Sequence, residues 1–280
     1  MSSPLALITA IAATFAYGIS DYAGGRASTG EDARHVVISA QARSLVPVTI
    51  WLIVVESVPT WTGVLSGVGV GLASCLSVTL LFRSLSRAPS ALVAPLCAVL
   101  GGVVSAGVGV VGGNRLPLLS IIGGIAALVG VIVPALSVRS WFSEAKVGPI
   151  VDAGIAGIAS GFAIALIALV RPSQLPWLLF FERITTITVL RLISRNSVKA
   201  EQPSHNSLEK WIVGVGYVFA SWALHSSTAQ SSLAVTAIIV SCYPLITICL
   251  SVLIDHERIG FWRAAGLGVA VSGLALLSAR

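Results

Sequence analysis

Long apolar runs, separated by short groups of proline, glycine and charged residues, follow one another along the whole chain. Each run is close to the roughly 20 residues that an α-helix needs to cross the hydrocarbon core of a bilayer. The pattern therefore predicts ten transmembrane helices. They are Leu5 to Gly24, Arg34 to Val55, Thr62 to Phe82, Ser90 to Val111, Pro117 to Leu136, Ile150 to Val170, Ser173 to Ser194, Trp211 to Ala229, Leu233 to Ile254, and Phe261 to Ser278.

Composition leads to the same class of protein. Of 280 residues, 56% are hydrophobic and only 10% are charged, and the mean hydropathy is +0.95. Ten spans leave no room for a separate soluble domain, so the lipid bilayer is the expected surrounding. The basic sequence pI of about 9.6 does not indicate nucleic acid as a partner, because the basic residues stand at the ends of apolar runs, where membrane topology uses them.

The four cysteines lie inside apolar runs and lack the close CxxC spacing of zinc or redox sites. They are Cys75, Cys97, Cys242 and Cys249. We expect them to be small core residues, and we expect neither a metal site nor a cofactor.

Glycines spaced by four residues occur in two of the predicted helices, as Gly67 and Gly71 and as Gly157 and Gly161. Residues without a side chain allow helices to approach closely in lipid. These glycines are therefore predicted to be packing surfaces with no direct role in binding.

The chain also contains an internal repeat. Sliding the second half by about 143 positions aligns the two halves without a gap over some forty residues, pairing for example Ala91 with Ala234. Five helices is an odd number, so the two repeats, residues 1–140 and 141–280, must insert in opposite orientations. The prediction is an all-α membrane protein of ten transmembrane helices, built as two inverted five-helix repeats around a shared cavity near the bilayer midplane.

Three segments carry a resemblance to a known family. SCYPLITICLSVLIDHERIGFWRAAGLGVAVSGLALL, at 241–277, resembles the Tyr-Pro, Glu-Arg-Ile/Leu and glycine-rich terminal pattern of the EamA-like, ten-helix members of the drug/metabolite transporter superfamily. RSLSRAPSALVAPL, at 83–96, and FAYGISD, at 15–21, resemble that family's third-to-fourth and first-helix segments. The chain departs from its own repeat in having Gly101 where the second half has Pro244.

The resemblance implies a secondary active transporter of the cell membrane that moves a small organic metabolite, with amino acids and drug-like compounds as candidates. We expect alternating access and proton-coupled export, and no enzymatic activity. The chain has no GxxxxGKS loop, which excludes direct drive by ATP within this polypeptide. The alternatives are an intramembrane enzyme and a channel-like protein, but no HExxH or GxSxG motif is present and the short turns leave no room for a filter loop.

Two adjacent charges stand inside the apolar run LLFFERITTITVLRL, at Glu182 and Arg183. A charge at a helix centre costs roughly 2.5–3.5 kcal/mol, so both are expected to face protein or water. Neighbouring helical residues point in different directions, so each is expected to find its partner elsewhere. The second helix carries Gln41 and Arg43, and the repeat places Arg43 opposite Arg183.

Two interpretations of these residues remain open. In the first, Arg43, Glu182, Arg183 and Gln41 line the cavity, the arginines bind a carboxylate or phosphate of the substrate, and Glu182 binds a cationic group or a coupling proton. In the second, Arg43 and Glu182 form a buried pair that fixes the helix register, or Arg183 only satisfies backbone carbonyls.

Further candidates lie in the first and ninth helices. Tyr17 and Asp21 are four residues apart and share a helix face, so Tyr17 is a candidate substrate-binding aromatic and Asp21 a second coupling carboxylate. The alternative for Asp21 is a solvated helix end. Tyr243 and Pro244 are expected to interrupt the ninth helix, with Tyr243 in the binding site and Pro244 acting in gating.

The orientation of the protein in the membrane is predicted from the distribution of lysines and arginines between the two sides. One side of the ten-helix arrangement carries twelve of them and the other carries three. The positive-inside rule then puts both termini outside, whereas the family resemblance implies cytoplasmic termini. The oligomeric state is left open by the sequence.

Overall fold

The structure, a computed structural model, describes residues 4–113, 121–122, 125–126, 129–130, 147–194, 207–256, 265–266 and 268–269. Over these residues the chain is helical, with short turns and no strand. The helices are α1 (Pro4–Gly30), α2 (Ala33–Val55), α3 (Trp61–Leu85), α4 (Ser90–Val111), α5 (Val147–Leu169), α6 (Leu175–Ser194), α7 (Ser207–Thr228), α8 (Leu233–Val240) and α9 (Tyr243–Ile254), with a 3-10 turn at Pro172–Gln174.

These bounds agree with the predicted ranges to within a few residues at most ends. The largest difference is α1, which continues from the expected Gly24 to Gly30. Within this stretch Arg26 Nη1 donates a hydrogen bond to Tyr22 Oη at 3.0 Å. The predicted fifth and tenth helices lie almost wholly outside the described residues.

Six helical stretches of the described chain are long and apolar enough to cross a membrane. They are α1, α2, α3, α4, α5 and the combined α8 and α9. The remaining two long helices, α6 and α7, carry buried polar side chains such as Glu182 and Lys210. This is the helix content of a multi-pass membrane protein.

Burial in α1 is the reverse of that in a soluble protein. Large apolar side chains on its outer face are exposed, as at Ile8 and Phe15, whereas Asp21 and Ser20 are buried inside the bundle. Water-soluble proteins bury such apolar groups and expose the polar ones. The exposed apolar face is therefore suited to lipid, while Asp21 accepts a hydrogen bond from Tyr217 of a neighbouring helix.

The bundle is assembled mainly from contacts between early and late helices. The most extensive packing pairs α1 with α7, α3 with α5 and α6, and α4 with α5 and α8. The second helix, α2, packs on α6 and α7, and α9 packs on α1 and α4. Helices before residue 113 therefore meet helices after residue 147 along most of their length.

The predicted glycine packing surfaces are confirmed. A Cβ atom at Gly71 would lie 2.8 Å from the carbonyl oxygen of Glu182, and one at Gly161 would lie 2.7 Å from the carbonyl oxygen of Gly101. Real Cβ atoms do not approach backbone oxygens so closely, so an alanine at either place would force the helices apart.

Contacts between early and late helices recur at a constant spacing along the chain. Ser84 Oγ donates to the carbonyl oxygen of Pro149 at 2.6 Å, and Ser227 Oγ donates to that of Ala6 at 2.9 Å. The two serines are 143 positions apart, and so are the two acceptors, but donor and acceptor have exchanged halves. The same kind of hydrogen bond thus occurs twice, once donated from the first half of the chain to the second and once from the second half to the first.

Closely packed glycines repeat in the same way. Gly71 faces the carbonyl oxygen of Glu182, and Gly214, 143 positions later, faces that of Ala40. The two acceptor residues, Ala40 and Glu182, are 142 positions apart. The recurrence therefore holds to within one residue in the packing of α2, α3, α6 and α7.

Four of the five ion pairs in the described part of the chain lie at one end of the bundle. They are Arg83 with Asp152 at 2.5 Å, Lys210 with Glu31 at 2.6 Å, Arg26 with Asp255 at 3.1 Å, and Arg34 with Asp32 at 2.9 Å. Arg83 binds Asp152 through two nitrogens and so ties α3 to α5. This end holds the turns between α1 and α2 and between α3 and α4.

The cysteines agree with the core assignment at three of four positions. Cys75, Cys97 and Cys242 are buried, but Cys249 is exposed. The expectation for Cys249 is therefore wrong. Its place in an apolar run reflects the outer face of α9, because apolar surroundings in this protein include lipid as well as the core.

Candidate functional site

A cavity of about 80 Å³ lies inside the bundle, lined by residues from α1 to α9. Its polar or aromatic lining residues are Tyr17, Asp21, Gln41, Ser74, Ser77, Cys97, Ser160, Glu182, Tyr217, Ser221 and Tyr243. Apolar residues, among them Val78, Ile164 and Val240, complete the wall. The volume accommodates a few water molecules or a small chemical group.

Asp21 is the most unusual member of this lining. It is 3% exposed, and the hydroxyl of Tyr217 donates a hydrogen bond to its Oδ1. Within the described residues no lysine, arginine or histidine forms an ion pair with it. The alternative of a solvated helix end is therefore excluded, because Asp21 is an interior carboxyl group held by a neutral phenol.

Three tyrosines stand next to this carboxyl group. The ring of Tyr17 on α1 lies 5.7 Å from that of Tyr217 on α7 and 6.5 Å from that of Tyr243 on α9, centre to centre. The first pair meets edge to face at 64°, an arrangement that aromatic rings prefer, and the second is tilted at 53°. Tyr17 and Asp21 share a helix face, as predicted, and both line the cavity.

Glu182 and Arg183 form an ion pair with each other. Arg183 Nη1 donates to Glu182 Oε2, Ser74 Oγ donates to Glu182 Oε1 at 3.0 Å, and Arg183 Nε donates to Ser44 Oγ at 3.1 Å. The expectation that these neighbours cannot pair is therefore wrong. The arginine side chain is long enough to turn back along the helix, and an unpaired charge in this interior would cost more than the bent conformation.

The two residues of the pair differ in their relation to the cavity. Glu182 lines it, whereas Arg183 is fully buried beside it and its Nη2 has no hydrogen-bond partner among the described residues. The buried pair foreseen between Arg43 and Glu182 does not form, because Arg183 already occupies the glutamate.

Arg43 lies away from the cavity. Its guanidinium donates to the backbone oxygen of Ser39 at 3.0 Å and stands 5.9 Å from the ring centre of Trp211 on the outer part of α7. The cavity lining includes Gln41 of the same helix but not Arg43. The expectation that Arg43 faces the cavity is not supported, because a two-residue difference on a helix turns a side chain by more than half a turn.

The repeated contacts disagree with the predicted match of Arg43 with Arg183. They match Ala40 with Glu182, so the counterpart of Arg183 is Gln41 and not Arg43. The predicted match of Arg43 with Arg183 is therefore two residues away from the register of the repeated contacts.

The helix predicted to break near Pro244 does break. α8 ends at Val240 and α9 begins at Tyr243, with Ser241 and Cys242 forming a turn between them. Thr14 Oγ1 on α1 donates to the carbonyl oxygen of Ile239 at 3.2 Å. The interruption therefore adjoins the cavity wall at Val240 and Tyr243, while the role of Pro244 in gating stays a prediction.

A second, more open cavity of about 340 Å³ adjoins the first. It shares Asp21 with the inner cavity and reaches the surface at Arg26 and Asp255, whose side chains are 47% and 43% exposed. We call it the vestibule. It opens at the end of the bundle that holds the ion pairs, so Asp21 separates the inner cavity from that end.

The lining of the inner cavity follows the same recurrence as the helix packing. Five pairs of lining residues are separated by 143 positions: Tyr17 and Ser160, Asp21 and Ile164, Ser74 and Tyr217, Val78 and Ser221, and Cys97 and Val240. Equivalent places in the two halves therefore face one space, although their side chains differ.

Sequence reasoning missed Tyr217, which binds Asp21. The signal available was the tyrosine itself, in an apolar run with Gly214 and Ser221 three residues before and four residues after it on one helix face. His225, one turn further, hydrogen-bonds through Nδ1 to the oxygen of Ile167 at 3.1 Å and lies outside the cavity lining. The described residues contain no group of three histidine, cysteine or acidic side chains placed to hold a metal ion.

Comparison with known proteins gives a likeness in fold. No protein-family profile matches the chain, and no curated protein matches it. One solved crystal structure aligns with 99% of this chain and 96% of its own chain, with a TM-score of 0.72 and 17% sequence identity. At this identity the likeness concerns the fold alone.

Proposed function

We propose that this protein is a secondary active transporter of the cell membrane that moves a small organic metabolite by alternating access, with the EamA-like drug/metabolite transporters as its family. In this proposal it has ten transmembrane helices in two inverted five-helix repeats, and it is not an enzyme. The observation that carries the proposal is the cavity lined by pairs of residues 143 positions apart. Such a cavity is expected where two inverted repeats meet.

The exchanged contacts support the inverted repeat. A two-fold axis between the halves makes each contact between them twice, with the partners exchanged, and five spans in each half, an odd number, put that axis in the membrane plane. The hydrogen bonds of Ser84 to Pro149 and of Ser227 to Ala6 follow this rule. Sequence identity between the halves is low, so the agreement comes from packing.

Proton coupling is assigned to Asp21 in preference to Glu182. Both carboxyl groups line the cavity, but Glu182 is already neutralised by Arg183. Asp21 has only the hydroxyl of Tyr217 and lies where the inner cavity meets the vestibule. A group there is able to exchange a proton with one side of the membrane while it still contacts cargo.

Orientation follows from the charges at the vestibule end. Arg26, Arg34, Arg83 and Arg87 lie there, so the positive-inside rule puts this end in the cytoplasm and both termini outside. The vestibule then opens to the cytoplasm, as loading for export requires. A reporter fused after Arg280 that is active only in the cytoplasm would reverse the assignment.

Alternating access also predicts that the end of the bundle opposite the vestibule opens during transport. If the halves exchange conformations, the counterparts of vestibule residues must open to the outside, and the counterpart of Ser90 is the buried Leu233. In a variant without native cysteines, Leu233→Cys should react slowly with an impermeant thiol reagent from outside and faster when substrate and a pH gradient are supplied. A rate that never changes would contradict alternating access.

The function itself is tested in proteoliposomes. Purified protein is assayed with a panel of amino acids, amines, organic acids and drug-like compounds at imposed pH gradients, for wild type and Asp21→Asn. A saturable flux with counterflow that loses its dependence on the pH gradient in Asp21→Asn is the expected result. Flux without saturation or counterflow indicates a channel, chemical conversion of a compound indicates an enzyme, and either outcome refutes the proposal.

A further inference from the structure

The inner cavity contains a carboxyl group that has no cationic neighbour among the described residues. Of the two carboxyl groups in its lining, Glu182 is compensated by Arg183, and Asp21 meets no cationic side chain among the described residues. The charge of a buried carboxylate without a cationic neighbour is neutralised either by a proton or by the positive charge of a ligand. The arginines expected from the sequence to bind an anion do not line the cavity, so the charge there favours a cation.

The aromatic residues point to the same class of ligand. Tyr17, Tyr217 and Tyr243 come from three different helices and stand with neighbouring ring centres 5.7 and 6.5 Å apart, beside Asp21. A group of aromatic rings attracts a cation through the negative faces of the rings, and such groups recognise alkylammonium ligands. None of the described arginines or lysines already occupies these rings.

The dimensions limit the size of the charged group. The inner cavity measures about 80 Å³, whereas pockets for drug-sized ligands typically reach about 300–1,000 Å³. The vestibule adds about 340 Å³ beyond Asp21. The space therefore suits a compact cationic head in the inner cavity with a short polar tail directed to the vestibule.

We propose that the cargo of this cavity is a small organic cation, whose ammonium group binds between Asp21 and the rings of Tyr17, Tyr217 and Tyr243. This inference rests on the proposed transport function, because it assigns the substrate class of that site. It corrects the expectation of an anionic substrate bound by Arg43 and Arg183.

The test uses three probes of nearly equal shape and different charge. Choline is the cation, 3,3-dimethylbutan-1-ol its uncharged counterpart and 3,3-dimethylbutyrate an anionic one. Binding to the purified full chain in lipid nanodiscs is measured by calorimetry at fixed pH, without any transport step. Choline is expected to bind at least about tenfold more tightly than either of the others, since a desolvated cation gains from both the carboxylate and the rings. Equal binding of all three, or tighter binding of the anion, overturns the proposal.

Variants locate the site. Asp21→Asn should abolish the preference for choline, while the matched change Glu56→Gln, at an exposed carboxylate beyond the end of α2, should preserve it. Tyr17→Leu should weaken choline about threefold to thirtyfold, and Tyr17→Phe, which keeps a ring, should stay near wild type. Size-exclusion profiles identify variants that fail to fold. If a variant does fail to fold, the comparison of the three probes on the wild-type protein still tests the cation site.

The two proposals fail separately. Choline binding that depends on Asp21, with no flux of any compound in proteoliposomes, would leave the cation site standing and refute transport. Saturable counterflow of neutral or anionic compounds, with no preference for choline, would leave transport standing and refute the cation site.

Discussion

The Glu182–Arg183 pair gives a sharp test of how charge is held in this interior. The two residues are 5% and 0% exposed. In Glu182→Gln the guanidinium of Arg183 loses its counter-charge and keeps the hydrogen bond to Ser44 Oγ at 3.1 Å as its described partner. One charge-assisted hydrogen bond is worth about 1.5–3 kcal/mol, and leaving a buried charge unpaired brings the expected loss of unfolding free energy to about 3–5 kcal/mol.

The second arm of the test removes both charges. Glu182→Gln combined with Arg183→Met should recover stability to within about 1 kcal/mol of wild type, because replacing a whole buried pair is often neutral. Unfolding free energies are measured by denaturant titration in mixed micelles for wild type, both single variants and the double variant. The coupling energy from this cycle is expected to be at least about 2 kcal/mol.

An exposed ion pair serves as the control. Arg26 and Asp255 are 47% and 43% exposed, so Asp255→Asn should change stability by no more than about 1 kcal/mol. If Glu182→Gln costs no more than that control, or if the double variant is less stable than Glu182→Gln, the pair is solvated and the reasoning about its environment is wrong.

Three further predictions concern other parts of the molecule. Arg43→Ala should leave proteoliposome counterflow unchanged, because its side chain lies off the cavity, and a loss of transport would restore the sequence-based assignment. Gly71→Ala and Gly214→Ala should each destabilise the protein by about 1–3 kcal/mol in denaturant titrations, since the added methyl group would meet a backbone oxygen at 2.8 or 2.5 Å, whereas Gly107→Ala, with nothing within 4 Å, should be neutral or slightly stabilising. A neighbouring arginine holds the pKa of Asp32 below its usual range, so this carboxylate stabilises the start of α2 above the ordinary carboxyl pKa and loses that effect as pH falls through the lowered value. Asp32→Ala should cost about 0.5–2 kcal/mol near neutral pH and nothing at the acid end of a pH series of thermal unfolding curves, and an equal cost at every pH would contradict this.

Periodicity and punctuation predicted the helices well because they act locally. Apolar length located the spans, Pro244 located the break before α9, and the four-residue spacing put Tyr17 and Asp21 on one face. Each of these depends on geometry within a single helix, which the order of residues determines.

The site was predicted less completely because it depends on distances between helices. Tyr217 is remote from Asp21 in sequence, and only packing of α1 on α7 brings them together. Arg43 was assigned to the cavity through a register two residues away from the one in the packed bundle, and side-chain type had decided that match. Pairing of Glu182 with Arg183 also depends on side-chain flexibility and on burial by neighbouring helices, which a helical projection does not contain.

The exchanged contacts have a consequence for biosynthesis. The hydrogen bond from Ser84 to Pro149 spans 65 residues, and that from Ser227 to Ala6 spans 221. The first becomes available only when the ribosome has entered the second half, and its counterpart only near the end of translation. Helices inserted early therefore have only their smaller mutual contacts, such as that of α1 with α3, until the second half is made, and a chain that stops at the midpoint lacks the partners of its largest contact surfaces.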